Sequence, residues 1–307
     1  MIATAEPIAG PMPHTPEWYE SHRNIITATD IAPILGRSDY KTALDVYAEK
    51  KGMVAPFEGN EHTRRGQRYE PVILADYASE MQCMVRSPLP LYYHNSMPYF
   101  GATPDASVAA TEEYEERGVE AKLTMSASRA AGLGVEGTDF VPDDWMLQCQ
   151  SQMAVMGWGR VDMAVLLFGR LKIYTISREP DLIQIIESAA KEFWERLQND
   201  DPPEPQWEHS ATPKLIKAIY GVREGTEVLL SQETENYWLH YRDLGTEIKR
   251  LESERETAKA RVLAAMGEAE IGLLSEPGIE LIRQTVRRGE YTVKPTEYIQ
   301  LKQRKMR

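Results

Sequence analysis

Between Tyr99 and Thr124, two short apolar runs each carry charge where a buried strand would carry none. The first, YFGATPDASV, is interrupted by Pro104-Asp105, and the second, GVEAKLT, holds Glu120 and Lys122 two residues apart. Side chains on a strand alternate faces, so Glu120 and Lys122 project to one side and Ala121 to the other. Two carboxylates and an ammonium grouped on one hairpin fit a hydrophobic core poorly. They suit a site that holds a divalent cation and activates a water beside it. Taken singly, each residue also has an ordinary role: Asp105 as a turn former after Pro104, and Glu120 and Lys122 as an exposed cross-strand charge pattern.

The rest of the chain limits the cation. Only Cys83 and Cys149 are present, too few for a four-cysteine zinc or iron–sulfur cluster, and the six histidines include no closely spaced pair. Oxygen ligation of Mg²⁺ or Mn²⁺ is favoured. Two cysteines fit a reduced compartment, no run of about 18 apolar residues offers a membrane span, and the start MIATAEPIAGPMPHTPEW lacks the pattern of a signal peptide. A cytoplasmic protein is expected. A net charge of −12 argues against coating nucleic acid by bulk charge, but it leaves room for a local basic channel. Residues 281–307 carry eight basic residues against Glu290 and Glu297, which fits a contact with DNA or a partner as well as it fits a solvated appendage.

In chain order, residues 1–17 read as a flexible arm. Thr29-Asp30 is expected to cap a short helix from Ile31 to Leu35, and His22 and Arg23 before it make the helix start a candidate phosphate site. Capping alone is the heavier reading there. Residues 42–51 form a second helix, and HTRRGQRYEPVILADYASEM a third, with Pro71 allowing a break near Glu70. Strands over 83–93, 97–101, 105–110 and 117–123 are expected to make an antiparallel meander, followed by a polar loop over 124–142. The segment WMLQCQSQMAVMG reads as a helix with Gln148 and Gln152 on one face and Met146, Cys149, Met153 and Met156 as its buried stripe. A hairpin over 161–177 and a helix after Pro180 lead to a Pro-rich, acidic boundary at 199–205. Beyond it, residues 232–266 are helical, with Tyr237, Tyr241, Leu244, Ile248, Leu251, Ala258 and Val262 at three–four spacing interrupted at Arg255. Core packing is the favoured reading of that stripe, with a helical hairpin or an oligomer contact beside it.

Glu70, Asp105, Glu120, Lys122 and Gln148 thus fall in the order helix, strand, strand, helix. This order resembles the core of the PD-(D/E)xK nucleases, with Pro104-Asp105 and Glu120-Ala121-Lys122 matching the motif residue by residue. Within that superfamily the chain is similar to the lambda-exonuclease, YqaJ-type branch of viral recombinases. The similarity rests on Ile-Thr-Ala-Thr (26–29) after Trp18, Glu70-Pro71, the two motif halves, and Gln148-Cys149-Gln150. It covers about residues 18–205 and implies a restriction-endonuclease-like α/β core, a central mixed sheet flanked by helices, with residues 206–307 as a mainly helical extension. The family's phosphate-binding Arg aligns nearer His22, with Arg23 one position off. The extension is missing from the family's compact members.

The resemblance further implies a 5′→3′ exonuclease on linear double-stranded DNA, often a ring-shaped trimer, phage- or prophage-encoded, that exposes a 3′ strand for a single-strand annealing protein. Asp105 and Glu120, with the Ala121 carbonyl, would hold one Mg²⁺ (Mn²⁺ substituting), and Glu70 would help hold a second. Lys122, its pKa lowered by neighbouring cations, would orient and help deprotonate the attacking water, and Gln148 would position Lys122 or that water. His22, Arg23 and Thr29 would meet the DNA phosphate. Two alternatives share the core: a restriction-like or structure-specific endonuclease, and a DNA-end-binding protein without turnover.

Overall fold

The computed structural model describes residues 7–55, 59–112, 114–221, 223–275 and 278–285, which divide between two units, Met1–Gly221 and Val222–Arg307. In the first unit the expected arm is anchored from its eighth residue. β1 (Ile8–Ala9) pairs antiparallel with Tyr93 and Tyr92, and the Gly10 N–H donates to the Leu91 carbonyl. Residues 1–6 lie outside the described residues. α1 (Pro16–Asn24) begins where Thr15 accepts from the Trp18 N–H and Pro16 occupies the first helical position.

After β2 (Ile26–Thr27), a 3₁₀ turn over Ala28–Asp30 leads into α2 (Ile31–Ile34). Asp30 stands at the N-cap of α2, but its side chain turns back to the start of the 3₁₀ turn, where the Thr27 N–H and hydroxyl both donate to its Oδ2 at 2.8 Å. Thr42 and Asp45 form a capping box for α3 (Ala43–Lys50).

α4 (Glu61–Glu80) runs unbroken through Pro71. A proline there removes one N–H and leaves the Gln67 carbonyl without its helical donor, a cost of about 3 kcal/mol in an ordinary helix interior. Gln67, Glu70 and Pro71 all border a cavity, and the next turn is held by the buried Ile73, Leu74 and Tyr77. Burial of that face keeps the helix continuous.

The strands divide between two sheets. β3 (Val85–Arg86), β4 (Tyr92–Tyr93), β5 (Phe100–Ala102), β6 (Ala106–Val108) and β7 (Arg117–Thr124) do not form the single meander expected. One sheet has the order β1-β4-β5-β2, whereas β3, β6 and β7 belong to another. Thr103-Pro104-Asp105 is the crossing between them, and Pro104 has no N–H to offer either ladder. The Trp18 indole donates to Thr103 Oγ1 at 3.1 Å and ties α1 to this crossing.

The expected loop at 124–142 contains α5 (Ala127–Ala131), and Arg129 from it forms a forked ion pair with Asp144 at 2.7 and 2.9 Å. α6 (Asp143–Met156) follows and ends at Gly157, whose φ of 73° suits a glycine. β8 (Arg160–Leu167), β9 (Arg170–Ser177) and α7 (Pro180–Gln198) complete the core. The second sheet runs β3-β6-β7-β8-β9, antiparallel except for the parallel pair β7–β8. It is a mixed sheet flanked by helices.

Alternation along β8 separates the two faces. Val161, Met163 and Val165 pack with Cys149 and Met153 of α6 and Ile186 and Phe193 of α7. Ala164 packs on the other face with Val119 and with Ile73, Leu74 and Tyr77 of α4. The sequence places the core's end at 199–205, but α8 (Thr212–Ile219) still packs on α3, with Leu215 against Leu44 and Ala48. The division comes after Gly221.

The second unit holds α9 (Gln232–Met266) and an antiparallel pair, β10 (Ile271–Leu273) and β11 (Glu280–Ile282). None of its described residues is buried, so the apolar stripe of α9 is not core. Most of the basic tail, from Arg287 onward, lies outside the described residues. Among the described residues no helix is long and apolar enough to cross a membrane.

Candidate active site

The even positions of β7 meet α6, as the strand alternation requires. Glu120, 2% exposed, lies beneath the helix face that carries Gln148 and Gln152. Lys122 Nζ donates to Glu120 Oε1 at 2.6 Å and to Gln148 Oε1 at 2.8 Å, while Gln148 Nε2 donates to the same Glu120 oxygen at 2.5 Å. The three side chains close a triangle. One amide serves both charges because it carries an acceptor and a donor. Gln152 was not among the residues expected at the site, yet its Nε2 donates to Glu120 Oε2 at 2.6 Å. Its spacing of four from Gln148 was the available signal. Gln150, on the other side of α6, bonds instead to the Ser177 carbonyl and the Glu179 N–H, which tie α6 to the start of α7.

Asp105 reaches this strand from the crossing between the sheets, where its Oδ2 accepts the Ala121 N–H at 2.8 Å. Its backbone carbonyl accepts from Ser87 Oγ at 2.9 Å. Glu70 enters from α4 on the cavity side. Seven residues on, Tyr77 shares its helix face and donates to the buried Asp162 at 2.7 Å. Arg117 Nε donates to the same carboxylate oxygen at 2.8 Å, so a buried ionic cluster anchors both α4 and the start of β7. Asp162 is the one acidic residue of β8 and is fully buried.

The charges at the site are unbalanced toward carboxylate. Burial raises the Asp105 pKa well above the ordinary value, and the Glu120 and Glu70 charges push it in the same direction. Burial and Glu120 likewise raise Glu70. For Lys122, burial acts to lower the pKa, but Glu120 and Asp105 outweigh it and the net shift is upward. The protein charges beside Lys122 are thus anions, Glu120 and Asp105. The Cys149 thiol behind the site is raised well above its usual value, first by burial and then by Glu120.

A cavity of about 1100 Å³ opens onto these groups, and Glu70, Asp105, Gln148 and Gln152 form part of its wall. Glu70, Asp105 and Glu120 supply hard oxygen donors suited to Mg²⁺ or Mn²⁺. Among the described residues no three His, Cys, Asp or Glu side chains converge into a ready-made metal cluster. The donor chemistry still fits a divalent ion. Glu120 spends three of its roughly four acceptor positions on protein donors, and the mutual repulsion that raises Asp105 and Glu70 is what a cation relieves.

The same cavity receives His22 and Thr29, but Arg23 is exposed and is not part of its wall. The His22 ring lies 3.7 Å from that of Trp18, and its Nδ1 is 3.1 Å from the Trp18 carbonyl. A carbonyl only accepts, so Nδ1 carries the proton, and in the neutral ring Nε2 is an acceptor. Burial lowers the His22 pKa to about 4. Its backbone is held from below, where Lys50 Nζ donates to the His22 carbonyl at 2.6 Å and pairs with the buried Asp30 at 2.8 Å.

Residues 17–158 match the model of the YqaJ-like viral recombinase domain. A curated relative, the uncharacterized protein YqaJ of Bacillus subtilis (strain 168), is 23% identical over 264 residues, which is 84% of this chain and 80% of that one. Among solved structures, an alkaline exonuclease (LHK-Exo) from Laribacter hongkongensis superposes with a TM-score of 0.49 at 22% identity, covering 61% of this chain and 94% of that chain. A phage-related exonuclease from Haemophilus somnus 129PT gives 0.44 at 13% identity, covering 57% of this chain and 96% of that chain.

Proposed function

We propose, from the match of residues 17–158 to the YqaJ-like viral recombinase domain, that the chain is a metal-dependent exonuclease that digests linear double-stranded DNA from 5′ to 3′. The 3′ single strand left behind would pass to a single-strand annealing protein. One observation carries the reading: the Lys122–Glu120–Gln148 triangle reaches, through Gln148, a cavity whose wall also includes Asp105 and Glu70. An ammonium held by two polar partners beside three carboxylates is costly in a fold and useful in phosphodiester hydrolysis.

Asp105 and Glu120 would hold one Mg²⁺ or Mn²⁺, with Glu70 toward a second. Ala121 turns its N–H to Asp105, and since both backbone groups of a strand residue face one edge, its carbonyl is available there too. When bound, such ions supply Lewis-acid stabilisation of the phosphate and lower the pKa of water. The chain's own work is positioning. Gln148 fixes the Lys122 ammonium, Gln152 fixes Glu120, and Lys122 is directed at the space where a water and a phosphate oxygen would meet. Lys122 keeps its proton while Glu120 and Asp105 face it unneutralised, and it becomes a better base once their charge is shared with a cation.

At the cavity rim, Thr29 and a protonated His22 are the groups proposed for the DNA phosphate, with Arg23 reaching from outside. Digestion of duplexes blocked at one 5′ or one 3′ end, with and without Mg²⁺, tests both activity and direction. Loss of activity on 5′-blocked ends with closed circles spared is the expected result. Cutting of closed circles would favour the endonuclease, and end binding without cleavage a protein that has lost turnover.

A further inference from the structure

The hydroxyl proton of Thr29 is already committed within the protein. Burial acts to raise the pKa of the neighbouring Asp30, but the Lys50 ammonium at 2.8 Å and the Thr27 donors outweigh it, so Asp30 is a carboxylate. A carboxylate only accepts, and the Thr27 hydroxyl gives it its single proton at 2.8 Å. The Thr27 and Thr29 hydroxyl oxygens are 3.0 Å apart. With the Thr27 proton directed at Asp30, the proton between the two threonines comes from Thr29. Thr29, exposed on the cavity wall, is left with lone pairs and no proton to give. His22 reaches a similar state by another route. Its Nδ1–H is held by the Trp18 carbonyl at 3.1 Å, so the neutral ring offers Nε2 as an acceptor. Gln152, on the same wall, keeps a buried Oε1 that has no donor among the described residues. Among the described residues lining the cavity there is no Lys or Arg, and Glu70 and Asp105 add carboxylates.

A wall of acceptors and carboxylates suits a hydrogen-bond donor and disfavours a dianion. We propose that this rim takes the 5′ terminus of the DNA as a free hydroxyl, so that the chain prefers 5′-hydroxyl ends to 5′-phosphorylated ends at neutral and alkaline pH. The proposal rests on the exonuclease reading and names the end that its site accepts. The terminal hydroxyl donates to Thr29 Oγ1, and His22 Nε2 is left to accept from a water. A terminal phosphate meets the same two atoms only with two protons added. One sits on His22 Nε2, and the other on the phosphate itself, which sheds it at about pH 6. Burial keeps the His22 ring neutral, and of the charges facing it Lys50 acts the same way while Asp30 opposes it.

Two blunt duplexes that differ only in carrying a 5′-hydroxyl or a 5′-phosphate on both strands test the proposal. Binding to the full chain is measured at pH 8 by fluorescence anisotropy in Ca²⁺, and initial digestion rates are measured in Mg²⁺. The hydroxyl duplex should bind about tenfold tighter, the usual size of one hydrogen bond's net contribution, and be digested faster at subsaturating DNA. Thr29→Val keeps the side-chain shape and removes the lone pairs, so affinity for the hydroxyl end should fall and the preference should close. His22→Arg puts a donor on the rim and should turn the preference toward phosphate. Equal binding of both ends, tighter binding of the phosphate end by the wild type, or an unchanged preference in Thr29→Val would overturn the proposal. A hydroxyl preference in binding with neither duplex digested would keep the proposal and remove the exonuclease reading. Digestion of both duplexes without preference would do the reverse.

Discussion

Gln152 donates to one oxygen of Glu120 while Gln148, one helical turn earlier, donates to the other, so α6 grips both ends of a buried carboxylate. The Gln152 Oε1 atom has no partner among the described residues, so the amide is oriented by Glu120 alone. Replacing Gln152 with Leu should lower kcat by about 10–100-fold with KM for DNA little changed, the usual result of removing a supporting hydrogen bond around a metal-binding group. Single-turnover digestion against DNA titration separates the two. Equal loss of binding and rate would contradict a positioning role.

Lys122→Ala should reduce cleavage by at least about 10²–10⁴-fold, the range attributed to a positioned acid–base group. DNA-end binding should persist. Lys122→Arg should not rescue activity, since a planar guanidinium cannot occupy the space between Glu120 and Gln148. A Lys122→Ala enzyme with full activity would remove the mechanism.

Divalent ions should raise Tm in a manner that depends on Asp105 and Glu70. Both carboxylates have folded pKa values raised above the unfolded ones, Asp105 chiefly through burial and its neighbours' charge. Such groups weaken the fold as pH rises through their folded pKa. Asp105→Asn should therefore stabilise the metal-free protein at neutral pH and abolish the Mn²⁺-induced Tm shift. Calorimetry with and without Mn²⁺ reads both effects, and an unchanged metal response would place the ion elsewhere.

His22 carries the opposite linkage. Its pKa falls from 6.5 to about 4 on folding, so the unfolded chain binds the extra proton. Its contribution is complete above pH 6.5 and declines as pH falls toward 4, by at most about 3 kcal/mol. Denaturant unfolding from pH 7 to 4.5 should show a shallower loss for His22→Gln than for the wild type. DNA bound at this ring would supply a phosphate charge that favours protonation, so end binding should tighten below neutral pH in the wild type and not in His22→Gln.

The sequence by itself determined the local pieces of this site. Period-two alternation placed Glu120 and Lys122 on one face of a strand, and the three–four pattern of α6 placed Gln148 and Gln152 on one face of a helix. The long helices were legible for the same reason. Tertiary structure decided what those faces meet. Asp105 joins the site only because Pro104 carries the chain between two sheets, a choice no local pattern records. α4 passes through Pro71 unbroken because Tyr77 and its neighbours are buried against the second sheet. Ile8 and Ala9 became a strand because β4 offered a free edge at Tyr93 and Tyr92, 85 and 83 residues away in sequence. The sign of the Lys122 shift came first from Glu120 on its own strand and then from Asp105, which only the crossing between the sheets brings beside it. Alternation along a chain is read from bond geometry, whereas which element covers a face depends on contacts between residues far apart in sequence.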